Sequence, residues 1–221
     1  RLAEQFSLEN VAPRYEKYFQ DVLNVHIGSG WYQLGIPCDY TLIEQEETPM
    51  AKRIATYMHE NLPGKTISDI GCGPGIYVQA LRELGEEAFG FDSDDRVRGK
   101  ENLTQISLFN LEQPADIVFC FEVAEHLPEN KADDVVSSMV KNLKQDGLIF
   151  WTAAQPGQGG HGHINCQPKE YWETKFNEQG LTRDKVQENK LLDFIKQGPH
   201  MGWFVNNLMV FTNAKNTASH D

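Results

Sequence analysis

An α/β fold, with a mostly parallel sheet and helices on both faces, is what this 221-residue sequence predicts. Three observations predict it. The β-branched, apolar run Thr66–Ile70 passes at once through Gly71, Gly73 and Gly75 into a helical pattern of Ile76, Ala80, Leu81 and Leu84. Short apolar runs then alternate with amphipathic stretches as far as residue 212. The length suits one domain with a core of its own, and no internal repeat interrupts it.

Residues 1–47 lack this rhythm. An amphipathic segment from Val11 to Val25 precedes an aromatic loop, Gly28-Ser-Gly-Trp-Tyr-Gln-Leu-Gly35, and the whole reads as a cap over the main domain of residues 48–213. A helix is expected from Thr48, with Pro49 at its first position and Met50, Ile54, Met58 and Leu62 on one face, ending before Pro63-Gly64. Strands are expected near 66–70, 87–91, 103–108, 116–121, 147–153, 181–187 and 204–212. Helices are expected near 75–85, 132–145 and 168–179, the second with Val135, Val136, Met139, Val140 and Leu143 on its apolar face. The last strand follows its predecessor with little room for a crossover, so a hairpin-like antiparallel insertion at the sheet end would explain it. The polar tail, 214–221, is expected to fray.

A strand that turns into a helix through side-chain-free backbone lets a ligand lie against main-chain N–H groups. Asp69, just before the turn, would repel pyrophosphate but suits a cation such as the ammonium or sulfonium of S-adenosylmethionine. The third glycine also comes one position too early for the dinucleotide fingerprint, so NAD is not expected. Asp92 follows Gly75 by 17 residues, at the end of the second strand, where a carboxylate accepts hydrogen bonds from ribose hydroxyls.

At these residues the chain resembles the class I S-adenosylmethionine-dependent methyltransferases. The resemblance covers about residues 50–213 and extends through Asn110-Leu111 and Phe121-Glu-Val-Ala-Glu-His-Leu-Pro128. It implies a Rossmann-like, seven-stranded sheet with an antiparallel last strand. It also implies Asp69, Gly71, Cys72, Gly73 and Gly75 around the amino-acid part of the cofactor and Asp92 on its ribose. Asn110 and Leu111 would lie at the adenine, with Phe121 and Glu122 closing the cofactor site. Many members carry Asp where this chain has Asn110, an amide able both to donate and to accept at an adenine edge.

Composition narrows the partners. The net charge of −12 weighs against extended nucleic-acid contact, which rests on Lys and Arg clusters. No apolar run reaches the roughly 18 residues that span a bilayer, and no secretory pattern opens the chain, so a cytoplasmic protein is expected. Arg1 at the start is what an excised domain, a processed chain or a trimmed one would show. Cys38, Cys72, Cys120 and Cys166 form no C-x-x-C pair and are expected to be reduced thiols.

Two segments carry candidate chemistry. Glu122, Glu125 and His126 follow the fourth strand, and in a doubly wound sheet the carboxyl ends of the strands line the ligand crevice. Gln155-Pro-Gly-Gln-Gly-Gly-His-Gly-His-Ile-Asn165 follows the fifth strand and belongs to the same rim, with Tyr171 and Trp172 just beyond. This loop resembles that of a methyltransferase subgroup associated with glycan biosynthesis, on Pro156 to Gly160, Gly162, His163, Asn165, Tyr171 and Trp172, and on the closing Trp203, Phe204 and Asn207. Cys166 stands where that subgroup more often has an acid.

Glu122, Glu125, His126 and His163 together look like the metal-binding set of the small-RNA 3′-end 2′-O-methyltransferases, a set suited to Mg²⁺ or Mn²⁺. Alternatively His126 or His163 acts as a general base with no ion. Trp31, Tyr32, His161, Asn165, Tyr171 and Trp172 are the candidate acceptor contacts. The leading expectation is O-methylation of a sugar or glycan hydroxyl, with the chain part of a larger glycan-modifying protein. The rivals are an RNA 3′ terminus, a catechol- or quinone-type small molecule, and a non-catalytic cofactor-binding module.

Overall fold

The computed structural model describes residues 40–160 and 162–214. Helix α1 (Tyr40–Asn61) leads into β1 (Thr66–Ile70), α2 (Ile76–Glu83), β2 (Glu87–Asp92), β3 (Leu103–Gln105) and β4 (Ala115–Phe121). Then come α3 (Ala132–Lys141), β5 (Leu143–Thr152), α4 (Lys169–Glu178), β6 (Thr182–Arg183), α5 (Lys185–Ile195), α6 (Gly202–Asn207) and β7 (Met209–Thr212). The sheet has seven strands in the order β3-β2-β1-β4-β5-β7-β6. β1 to β5 pair in parallel, and β7 inserts antiparallel between β5 and β6.

Strand alternation divides the core into two layers. Ile117, Phe119 and Phe121 of β4 face one cluster with Met50, Ile54 and Met58 of α1, Leu81 of α2 and Leu191 of α5. Val118 and Cys120 face the other, with Val135, Val136 and Met139 of α3, Trp172 and Phe176 of α4, and Trp151 of β5. A central strand buried on both faces is what parallel pairing demands.

The structure corrects several expectations. The first helix begins at Tyr40 rather than Thr48, so the expected 47/48 boundary falls inside it and Pro49 is an interior residue. The Asp184 side chain accepts from Gln187 N at 2.9 Å and starts α5, where a strand over 181–187 was expected. Glu188, buried in that helix, takes the two-pronged Arg183 guanidinium at 2.9 and 2.8 Å. Residues 202–207 are helical, and only 209–212 form the last strand, so β6 and β7 are joined through two helices rather than by a hairpin.

α3 ends at Lys141 and Leu143 opens β5, because Asn142 completes the helix end. Fully buried, Asn142 donates to Leu111 O and Ser138 O and accepts from Gln113 N at 2.7 Å. Cys72, Cys120 and Cys166 are free thiols, and Cys38 lies outside the described residues.

Trp172 is also corrected: it is 1% exposed, packs on Trp151 at 5.2 Å between ring centres, and belongs to the core rather than to an acceptor pocket. Trp172→Ala is therefore expected to lower stability by about 3–5 kcal/mol while leaving the cofactor affinity of the folded fraction intact. Denaturant unfolding with parallel cofactor titration checks this.

Candidate active site

β1 delivers Asp69 to the carboxyl edge of the sheet, and the glycines after it take φ of 82° (Gly71), 51° (Gly73) and 87° (Gly75). These are left-handed conformations that an L side chain resists. A Cβ at Gly71 would also stand 2.4 Å from Val123 Cγ2, so the turn is closed to any larger residue. Gly71 N and Cys72 N both donate to Phe91 O, and Gly73 N donates to Asp92 Oδ2 at 2.8 Å. Asp92 Oδ1 accepts from Asp94 N at 2.9 Å, so this carboxylate pins the glycine turn against β2 as well as standing where ribose was expected. Leu111 and Phe121 are buried, and Asn110 is exposed at the same rim.

Asp69 is 2% exposed, and its Oδ2 has no hydrogen-bond partner among the described residues. Burial first, then the charges of Asp92 and Glu47, push its carboxyl up to about 8. Glu47 was not anticipated in the site. It accepts from Tyr77 Oη at 3.2 Å, and burial pushes it up to about 7. The signal was present: Glu47 precedes Met50, Ala51 and Ile54 by three, four and seven residues, so it falls on the buried stripe of α1. Acids crowded with no ion pair among the described residues, beside open backbone, fit a ligand that carries positive charge. S-adenosylmethionine meets that description with its ammonium and sulfonium.

The turn after β4 presents the second half of the site. Glu122, at φ 51°, anchors its N–H on Thr152 and accepts from Asn207 Nδ2 and Gln158 Nε2, each at 3.0 Å. Asn207 Nδ2 also donates to Gln158 Oε1 at 2.9 Å, and Gln155 donates to Asn207 Oδ1 at 3.1 Å. Glu125 is fully buried. Its Oε1 accepts from Ala154 N at 3.1 Å, while Oε2 has no partner among the described residues. Burial, then the neighbouring Glu122 charge, push this carboxyl upward.

The rings of His126 and His163 meet edge to face, 4.9 Å apart between centres. His126 Nδ1 lies 3.3 Å from Gly162 O; a proton there makes the bond and leaves the lone pair on Nε2. His163 Nδ1 is buried without a partner among the described residues. Gly160 permits this placement, since a Cβ there would sit 2.0 Å from the His163 ring. One donor atom from each of Glu125, His126 and His163 lies within 4.8 Å of the others. Glu122 is not in that group, and both its oxygens are engaged by side-chain amides.

Among the acceptor candidates, Asn165 is 4% exposed, with Nδ2 unpartnered among the described residues and Oδ1 taken by Gln167. Tyr171 packs edge-on against Trp172 and under the Lys175 ammonium. Trp31, Tyr32 and His161 lie outside the described residues. No described helix is long and apolar enough to cross a membrane.

A family model described as a methyltransferase domain matches residues 42–158, more than half of the chain. Among curated relatives, a ubiquinone biosynthesis O-methyltransferase of Idiomarina loihiensis is 33% identical over 42% of this chain and 44% of its own length. One from Aliivibrio fischeri is 29% identical over 65% of this chain and 63% of its own. The chain thus spans about half of the length of these relatives. Among solved structures, the S-adenosylmethionine-bound amino pentose methyltransferase CalS10 of Micromonospora echinaspora superposes with a TM-score of 0.57. It is 13% identical over 79% of this chain and 96% of that one, which shows a shared fold.

Two expectations follow. The raised carboxyls of Asp69 and Glu47 stay protonated in the folded, unliganded protein up to about 8 and about 7, whereas unfolded carboxyls ionise near 4. The folded state therefore binds more protons than the unfolded one, and these groups' contribution to stability falls as pH rises through that window. A cationic ligand favours the ionised forms, so its affinity should rise over the same window with proton release on binding. Calorimetry in buffers of different ionisation enthalpy, with Asp69→Asn as the variant that flattens the dependence, checks both signs. Separately, Asp92→Ala should weaken S-adenosylmethionine binding by about 1.5–3 kcal/mol for each charge-assisted bond lost; unchanged affinity would displace the ribose from this strand end.

Proposed function

Because the chain belongs to the methyltransferase domain family, which takes its methyl group from S-adenosylmethionine, we propose that it methylates a hydroxyl of a sugar-like, polyhydroxylated acceptor. The observation that carries this reading is the meeting of His126 and His163 at the carboxyl ends of β4 and β5, beside the turn after β1. A neutral alcohol is a poor nucleophile, so transfer to oxygen needs a group that manages its proton. This reading gives that role to the two imidazoles.

S-adenosylmethionine supplies an electrophilic methyl on a positively charged sulfur. Asp69 and Glu47 offset the positive charge of the bound molecule, and the glycine turn admits it to the main chain. At the rim the partly exposed amides Gln155 and Gln158 are bound to the buried Asn207, and Trp172 is in the core. Amides both donate and accept, which suits several hydroxyls at once. The net charge of −12 disfavours a ribonucleic acid chain.

A second reading, methylation of a small aromatic with adjacent hydroxyls, is favoured by the curated relatives, whose names assign them O-methylation in ubiquinone biosynthesis. Incubation with methyl-labelled S-adenosylmethionine and a panel of sugars, dihydroxyphenols and RNA 3′ ends decides between them. Label on a sugar oxygen is the expected outcome; label only on phenols or RNA would replace the sugar reading, and none on any oxygen would sink O-transfer. Alanine at His126 or His163 should lower turnover by about 10²–10⁴-fold with cofactor affinity retained.

A further inference from the structure

We propose that Gln155 and Gln158 read the hydroxyls of the acceptor, Gln158 Nε2 donating to one oxygen and Gln155 Oε1 accepting from a hydroxyl, with Glu122 and Asn207 fixing the sense of both amides. The inference rests on the methyl-transfer reading above and deepens it, since it names the residues that tell a polyhydroxylated acceptor from a deoxygenated one.

A local turn sets the two glutamines side by side. Gln155-Pro156-Gly157-Gln158 closes with Gln158 N donating to Gln155 O at 3.0 Å, and Gly157 takes φ 87°. Pro in the second position and a left-handed Gly in the third mark a type II turn, whose first and last residues stand within about 7 Å of each other. A Cβ on Gly157 or Gly159 would meet nothing within 4 Å, so the loop is open on that side. Gly160, two residues after Gln158, packs on the His163 ring.

A carboxylate accepts and does not donate, so Glu122 decides which way each amide faces. Its Oε1 takes Asn207 Nδ2 and its Oε2 takes Gln158 Nε2, each at 3.0 Å. Asn207, fully buried, donates again from Nδ2 to Gln158 Oε1 at 2.9 Å and accepts at Oδ1 from Gln155 Nε2 at 3.1 Å. Gln155 Nε2 also donates to Asn206 O at 3.1 Å. Each amide has two donor hydrogens and one acceptor oxygen, so Asn207 is saturated by these bonds. Two groups are left over among the described residues, the second N–H of Gln158 and the Oε1 of Gln155.

Turning either amide over would set oxygen against oxygen, at Glu122 for Gln158 and at Asn207 for Gln155. The turn therefore offers one donor and one acceptor in a fixed sense, on residues that are partly exposed at the rim. Hydroxyl groups satisfy both, because each can accept and donate. An ether oxygen satisfies only the donor, and a methylene neither. Burial first and then the Glu122 charge raise the Glu47 carboxyl, so the network borders the acid cluster as well as His163.

The probes are methyl hexosides and their single-deoxy analogues, with transfer from methyl-labelled S-adenosylmethionine read as kcat/KM on the full chain. For the hexoside that reacts, loss of one hydroxyl other than the methylated one should lower the wild-type value by about 10-fold or more. Gln158→Ala, Gln158→Met (of the same length) and Gln155→Met should each bring the ratio of parent hexoside to that analogue close to one. Both substrates are compared on one sample, so the ratio does not depend on how much of a variant folds, which thermal unfolding reports separately. A wild type that treats every single-deoxy analogue like the parent overturns the inference without any variant. Variants that slow both substrates equally and keep the wild-type ratio overturn it too, and leave the amides a structural role. Those two outcomes sink this inference alone, whereas no label on any hexoside sinks the sugar reading and this inference with it.

Discussion

Glu125 sits fully buried in the turn after β4 and takes three backbone N–H groups from the segment after β5. Ala154 N reaches its Oε1 at 3.1 Å, and Ile164 N and Asn165 N both reach its carbonyl oxygen at 2.9 Å. These bonds join two loops that no strand pairing connects, and they lie in a dry setting where an unmade bond is costly. The glycine-rich stretch between Ala154 and Ile164 is tied at both ends by this one residue. His163 can therefore meet His126 although 36 residues separate Gly162 from the histidine it faces.

The same economy of position governs the charge. Glu47, Asp69, Asp92, Glu122 and Glu125 come from α1, β1, β2 and the turn after β4, yet all gather at the carboxyl edge of the sheet. Fixed donors quiet some of them: Gly73 and Asp94 for Asp92, Asn207 and Gln158 for Glu122. Asp69 and Glu125 each keep an oxygen without a donor among the described residues. A fold can carry such groups when a bound cation completes them, and the donor cofactor brings positive charge on its ammonium and sulfonium.

How far residues 66–92 could be read before the structure, and how little of the C-terminal third, has a physical explanation. From Thr66 to Asp92 the pattern is local: a β-branched run, glycines where φ is positive, then an amphipathic helix. Past residue 180 the elements are short and held from outside. Leu181 to Gln187 reads as extended by composition, but the Asp184 cap and the Arg183–Glu188 pair make it a two-residue strand and a helix. Phe204 to Asn207 reads as strand and is helical, with Phe204 in the core and Asn207 turned to Glu122.

By itself the sequence determined the class of fold, the strand-to-helix glycine turn, the acids at Asp69 and Asp92, and the placing of two histidine-bearing loops on one rim. These follow from backbone rules and from the periods of strand and helix, which act within a few residues. Only the tertiary structure decided that Trp172 is core, that Glu47 joins the acid cluster, and that Glu122 is bound by amides while Glu125, His126 and His163 come together. Those outcomes turn on which of several competing donors reaches each buried oxygen first, and on the direction in which a side chain leaves its element. Contacts between residues tens of positions apart set both, and no local pattern records them.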